Sequence, residues 1–164
     1  MKALRITATA LFIFSLAAAG FAAPAPANPA WERLKSLVGE WDGTEAGKPF
    51  HVSYKLVSSG TALMETMNGP DAMEMVTVYH PDGESILMTH YCSMGNQPRM
   101  RAKALESGKL TFRYVDAANV KSPADPRMSG LVLTFTDADH LGADWTHKMG
   151  SKEEVGHFAY TRKK

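Results

Sequence analysis

Polar and soft side chains are concentrated between residues 90 and 100, where the sequence reads HYCSMGNQPRM. Imidazole, thiol, amide and guanidinium groups in one segment could bind the polar part of a small molecule, and an arginine offers a planar fork for a carboxylate or phosphate. The candidate ligand-binding residues of this segment are His90, Cys92, Asn96, Gln97 and Arg99. The alternative is that the two amides satisfy carbonyl groups of their own turn, with Pro98 directing the chain out of the loop.

Four further candidates for ligand binding are Glu65, Met75, Trp145 and His147. Trp145 and His147 alternate with polar residues, which predicts that both face the dry side of a strand. An inward histidine can bind a ligand or be a hydrogen-bonded core residue, and Glu65 could be a buried acid or lie at a rim. Met75 is one of ten methionines, whose flexible thioethers suit either an adjustable cavity or an irregular core.

These residue types predict no catalytic site and no metal site. The sequence has no Gly-x-Ser-x-Gly, phosphate-loop or His-Glu-x-x-His motif, and no two histidines stand at a zinc-motif spacing. An enzyme that uses His90, Cys92 or Glu65 remains an alternative, since His90 lies two residues before Cys92 on the same face of a strand. A weaker alternative is copper(I) bound by the soft donors His90, Cys92, Met94 and Met100.

Residues 1–22 have the pattern of a secretory signal peptide, with two basic residues, an apolar run from Ala8 to Ala19 and then small residues. Cleavage after Ala22, or as late as Ala27, fits the requirement for small residues before the cut. The apolar run is shorter than the about 20 residues that span a bilayer. We therefore expect a periplasmic or secreted protein that is not inserted in a membrane after cleavage.

After the signal peptide we expect a Pro/Ala linker over residues 23–30 and one domain over residues 31–164. The formal net charge of +1 provides no basic field for phosphates, which argues against a nucleic-acid partner. The single cysteine, Cys92, has no partner for a disulfide within the chain. Stability must therefore come from a buried core, which a domain of this size can form.

The hydrophobic period changes once along this domain. Trp31, Leu34, Leu37 and Val38 recur at helical spacing and predict one short helix before Gly39. From there to the C-terminus the period is two, and Gly, Pro, Asn and Asp separate the apolar segments. The predicted strands are residues 40–45, 50–57, 61–67, 72–80, 84–92, 99–106, 109–116, 130–137, 141–149 and 155–162.

Short turns between these segments predict antiparallel neighbours. Because a single short helix cannot cover a ten-stranded sheet, the sheet must cover its own face by sandwiching or by closing. Consecutive hairpins without a long crossover favour closure into an antiparallel up-and-down barrel. Side chains barely fill a barrel of eight strands, so ten strands predict an interior cavity. The two longest connections, residues 93–98 and 117–129, are expected at a rim of the barrel.

Gly39-Glu40-Trp41, directly after the short helix, resembles the start of lipocalins and other calycin barrels. In those barrels an arginine at the end of the last strand lies across this tryptophan, and Arg162 stands at the matching place. The resemblance implies a calycin-like barrel in which Trp41 and Arg162 are structural.

Ten strands and a leading helix also resemble the haem-binding nitrobindins, which bind haem through a histidine near the C-terminus. His157 has a similar placement, so the resemblance implies haem as an alternative cofactor. Strand alternation argues against His157 as a haem ligand inside the barrel. If Arg162 faces inward, Phe158 and Tyr160 also face inward and His157 faces outward.

Over most of residues 31–164 the sequence is similar to a family of uncharacterised secreted bacterial proteins. The resemblance rests on SGTALME at residues 59–65, EMVTVYH at 74–80, THYC at 89–92 and GNQPRM at 95–100. It implies the barrel and export, and it carries no activity. The expected function is therefore binding of a small, largely apolar molecule without a cofactor, with a haem protein and a barrel enzyme as alternatives.

Overall fold

The computed structural model describes residues 28–164, so the predicted signal peptide and most of the predicted linker lie outside the described residues. One α-helix, α1 (Pro29–Lys35), precedes the strands. The strands are β1 (Gly39–Glu45), β2 (Lys48–Val57), β3 (Ala62–Asn68), β4 (Glu74–Asp82), β5 (Ser85–Tyr91), β6 (Gln97–Ala102), β7 (Leu105–Glu106), β8 (Lys109–Ala118), β9 (Arg127–Phe135), β10 (His140–Met149) and β11 (Lys152–Arg162). Between residues 28 and 164, no helix has the length and apolar character needed to cross a membrane.

All strands are antiparallel to their neighbours, and two pairings close the sheet. β1 pairs with β11, and β6 pairs with β8. The two-residue β7 pairs with β8 beyond the end of β6, so β6 and β7 form one interrupted strand. The prediction of an antiparallel barrel of ten strands with one short helix is therefore confirmed.

The strand boundaries follow the predictions to within two residues except at two places. β9 begins at Arg127 instead of residue 130, and β11 begins at Lys152 instead of residue 155. The register between β9 and β10 shifts between Thr146 and His147, which keeps the irregular start of β9 paired. Such a shift interrupts the alternation on which the prediction of β9 relied.

The helix α1 closes one end of the barrel, which we call the base. The Asn28 side chain caps the helix by accepting hydrogen bonds from the backbone N–H groups of Ala30 (3.0 Å) and Trp31 (3.2 Å). Trp31 and Leu34 are buried against the barrel, as is Leu37 just after the helix. Three of the four apolar residues that predicted the helix therefore cover the base, whereas the fourth, Val38, is exposed.

Trp41 and Arg162 join the first and last strands at the base. They are register partners of β1 and β11, and the Arg162 guanidinium lies 4.2 Å from the centre of the Trp41 ring. Arg162 also donates hydrogen bonds to the carbonyl oxygens of Ser36 (2.7 Å), Val38 (2.9 Å) and Ala138 (3.0 Å). One side chain thus ties the helix, both terminal strands and the β9–β10 turn together.

We predict that Arg162→Ala lowers the free energy of unfolding by about 3 kcal/mol, because three carbonyl groups lose their donor and the cation–π contact is lost. Arg162→Lys should recover less than half of this, since an ammonium group cannot replace the guanidinium fork. Urea denaturation measures both values.

The matched control for this prediction is Arg99→Ala, which removes an arginine from an ion pair with Asp116 on the outer face. Exposed ion pairs contribute less than about 1 kcal/mol. Equal losses in Arg162→Ala and Arg99→Ala would contradict the structural role of Arg162.

Candidate ligand-binding site

The half of the barrel next to α1 is filled by its own side chains. Val52, Leu63, Tyr79, Met88 and Met100 are 0% exposed, so no water molecule fits beside them. Bulky aromatic residues account for much of this filling, and the ring of Tyr79 packs 5.6 Å from that of Phe112. The cavity expected from the number of strands therefore does not extend along the whole axis.

Open space lies at the opposite end, which we call the mouth. The mouth is formed by the β1–β2, β3–β4, β5–β6, β8–β9 and β10–β11 connections, and it includes both long connections, 93–98 and 117–129, that the sequence analysis placed at a rim. The two long connections touch there, since the Asn96 side chain donates to the Pro126 carbonyl (2.8 Å). A cavity of about 420 Å³ opens at the mouth.

The cavity wall combines methionines and aromatic rings with a few polar groups. Its methionines are Met73, Met75, Met94 and Met128. Its aromatic residues are Phe50, Trp145 and Phe158, and its remaining side chains include Cys92, His147, Glu45 and Glu154. A pocket of this size, mainly apolar and with few polar groups, is typical of a site for a small organic molecule.

The floor of the cavity is a contact across the barrel. The rings of His90 on β5 and Trp145 on β10 lie 4.6 Å apart between centres. Cys92 and His147 each follow two residues later and therefore face the same interior, one layer nearer the mouth. His147 is the register partner of Met128 on β9, and Ser93 Oγ lies 3.7 Å from the sulfur of Met75. Strand alternation thus assembles the cavity wall.

The side wall depends on a missing side chain at Gly156. This glycine is the register partner of Trp145, and a Cβ atom added to it would stand 3.3 Å from the Phe158 ring and 3.7 Å from Glu45 Oε1. Phe158 in turn packs edge to face on Phe50, 5.0 Å between ring centres. A larger residue at position 156 would occupy space that now belongs to the cavity.

Below the floor, Glu65 forms a buried hydrogen-bonded network. Its carboxylate accepts hydrogen bonds from the hydroxyl groups of Tyr79 (2.7 Å) and Thr77 (3.4 Å). Burial raises the pKa of Glu65, while hydrogen bonds from Tyr79, Tyr54 and Thr77 act in the opposite direction. Glu65 is therefore a core residue and does not line the cavity.

His90 continues this network toward the floor of the cavity. Its Nδ1 atom lies 2.9 Å from Thr77 Oγ1. When the Thr77 hydroxyl donates to Glu65, Nδ1 carries the proton and Nε2 has a free lone pair. Nε2 is buried and has no hydrogen-bond partner among residues 28–164. Burial lowers the pKa of His90 to about 4, which keeps the ring neutral at pH 7.

The arrangement does not activate Cys92 as a nucleophile. Burial raises the pKa of the Cys92 thiol, and the hydrogen bonds that lower it come from the Met94 backbone and the Ser93 side chain. A reactive cysteine needs a lowered pKa or an adjacent base. The enzymatic alternative therefore gains no support from Cys92.

The structure divides the polar residues of the 90–100 segment between the two faces of the sheet: His90 and Cys92 are buried inside, whereas Gln97 and Arg99 line one depression on the outer face. Arg99 points to the outer face, where its Nε–H group donates a hydrogen bond of 2.6 Å to the Asp116 carboxylate. Gln97 donates to the carbonyl of Gly95 and accepts from Asn119, and Asn96 binds Pro126. The expectation that Asn96, Gln97 and Arg99 recognise a ligand at the rim stays a prediction: the amides stabilise the loops, and Gln97 and Arg99 line a depression on the outer face.

The two alternatives that need a metal fit these positions poorly. His157 lies on the outer face, with 75% of its side chain exposed and Nδ1 2.8 Å from Asp144, so it is not placed to hold haem inside the barrel. Of the copper donors, Met100 is fully buried in the packed half while Met94 is 39% exposed at the mouth. Within residues 28–164, no three His, Cys, Asp or Glu residues form a group that could hold a metal ion.

The sequence analysis missed several residues of the wall. Met128 falls in a segment predicted as a loop, because the extra residue Ser129 in β9, between Gly130 and Met128, hides the strand pattern. Glu45 and Glu154 are inward-facing but polar, which contradicts the expectation of a dry interior face. Trp41 faces inward, and alternation along β1 places residues 43 and 45 on the same face. The inward position of Glu45 therefore follows from that of Trp41.

No protein-family model and no curated protein sequence matches the chain. The assignment of a function therefore rests on the geometry of the mouth.

We predict that the stability of the barrel falls as the pH decreases from 7 to 4 because His90 resists protonation. In the unfolded chain a histidine takes up its proton near pH 6.5, whereas the folded state does so only near its pKa of about 4. As the pH falls from 6.5 to 4, this difference between the two pKa values lowers the free energy of unfolding by up to about 3 kcal/mol.

Urea denaturation of the wild type and of His90→Phe across this pH range tests the prediction. The phenylalanine ring keeps the contact with Trp145 but cannot be protonated. The free energy of unfolding of the variant should therefore fall by about 3 kcal/mol less than that of the wild type over this pH range. The same pH dependence in both proteins would show that His90 is not held neutral.

Proposed function

We propose that this protein is an exported barrel that binds a small, largely apolar molecule in the cavity at its mouth. The observation that carries the proposal is the contrast between the inward side chains of the base half, several of which are 0% exposed, and a mouth that leaves about 420 Å³ between methionine and aromatic side chains. A barrel selected only for stability would gain by filling this space, since each unfilled methylene costs about 0.8 kcal/mol of burial.

The composition of the wall determines the chemistry of the ligand. Thioether and phenyl groups offer dispersion contacts and adapt to different shapes, as methionine does at many binding surfaces. Removing about 300 Å² of apolar ligand and pocket surface from water would contribute roughly 7 kcal/mol. The translational and rotational freedom lost on association costs at least about 4 kcal/mol, which offsets more than half of this contribution. Apolar contact alone therefore supports binding weaker than micromolar.

We predict that Gly156→Leu abolishes this binding. The leucine side chain enters the cavity beside Phe158 and Glu45, while the backbone at Gly156 needs no positive φ angle and tolerates the change. The neutral dye N-phenyl-1-naphthylamine, whose fluorescence rises in apolar surroundings, reports binding. Its dissociation constant should increase at least tenfold in the variant.

The matched control is Ala159→Leu, which adds the same side chain to the exposed face of the same strand. Its dye affinity should equal that of the wild type. A wild type that does not bind the dye, or a Gly156→Leu variant that binds it as well as the control does, would overturn the proposal.

The export part of the proposal predicts where the mature chain begins. In a Gram-negative host, the full sequence should give a periplasmic protein whose N-terminal residue is Ala23 or Asn28. Mass spectrometry of the periplasmic and cytoplasmic fractions measures this. A full-length chain that begins at Met1 and stays in the cytoplasm would contradict export.

A further inference from the structure

The charged side chains of the cavity wall all have the same sign. Glu45 and Glu154 line the cavity, and among residues 28–164 no lysine or arginine does. Within the described part of the chain, neither glutamate lies within ion-pair distance of a basic side chain, whereas Glu153, the neighbour of Glu154 on the outer face, pairs with Lys148 at 2.8 Å. The two carboxylates are therefore not held in ion pairs, although Lys48 is the register partner of Glu45 and Glu154 is exposed.

The field of Glu45 reaches into the barrel. The pKa of Tyr160, which is buried deeper on β11, is raised first by burial, then by the charge of Glu65 and then by that of Glu45. Glu45 itself is half-buried at the end of β1, beside the Phe50 and Phe158 rings. A carboxylate next to low-dielectric walls acts more strongly on a ligand than a fully solvated one.

The neutral part of the wall also favours a cation. Trp145, Phe50 and Phe158 present aromatic rings, and the faces of such rings attract ammonium groups.

From this complementarity we propose that the ligand of the mouth cavity is an organic amine: an apolar body with a protonated ammonium group, which Glu45 and Glu154 attract and which lies against the aromatic wall. This inference rests on the proposed function, because it names the ligand class of the same cavity. It also supplies the affinity that apolar contact alone does not provide.

A set of ligands that differ only in charge tests the proposal. Decylammonium, 1-decanol and decanoate share a ten-carbon chain and are cationic, neutral and anionic at pH 7. Each is titrated against the protein loaded with N-phenyl-1-naphthylamine, below micellar concentrations and at low ionic strength. We expect decylammonium to displace the dye at a concentration at least tenfold lower than decanoate, with 1-decanol between them.

Variants assign the preference to the glutamates. Glu45→Gln and Glu154→Gln should each reduce the affinity for decylammonium threefold to tenfold and leave that for 1-decanol unchanged. Glu153→Gln is the matched control, since it removes a neighbouring carboxylate from the outer face, and it should change neither affinity. Added salt should weaken decylammonium binding and leave 1-decanol binding unaffected.

The outcomes separate the two proposals. If the three ligands displace the dye equally well, or if the preference for decylammonium persists in the Glu45→Gln/Glu154→Gln double variant, the amine inference is overturned and the apolar-binding function stands. If the wild type binds neither the dye nor any of the three ligands, both proposals fail. Loss of dye binding in Gly156→Leu together with a charge preference that depends on the glutamates supports both.

Discussion

The structure depends on the closure of the sheet by the β1–β11 and β6–β8 pairings. A closed antiparallel sheet has no free edge, and every second residue of each strand must face the interior. Closure therefore decides at once which side chains form the core and which meet water. The base is stabilised by the Trp41–Arg162 contact, which connects the two ends of the described chain and the helix.

Within this constraint, the distribution of large side chains decides where space remains. Tyr54, Tyr79, Phe112 and the leucines fill the base half, and α1 covers it. Toward the mouth the inward positions carry Gly43, Gly156, methionines and glutamates, which fill less volume or prefer water. The same alternation thus produces a tightly packed core and a pocket in one barrel, and the contact between His90 and Trp145 separates them.

The buried polar residues show why the base half tolerates a carboxylate. Glu65 has three hydroxyl donors around it, and Thr77 links it to His90. A buried polar group that is fully hydrogen-bonded costs little, whereas the free Nε2 of His90 is an exception. The network holds β3, β4 and β5 in register directly below the cavity, so it supports the site without contacting a ligand.

The sequence by itself determined the number of strands, their antiparallel order, the covering helix and the inward position of Trp145 and His147. These features depend on local signals, namely turn residues and a period of two. Only the tertiary structure decided that Arg99 faces Asp116, that Met128 belongs to the cavity wall and that Glu45 points inward. Such facts depend on the register between strands distant in sequence and on one irregularity near His147, and neither leaves a trace in the hydrophobic pattern of a single strand.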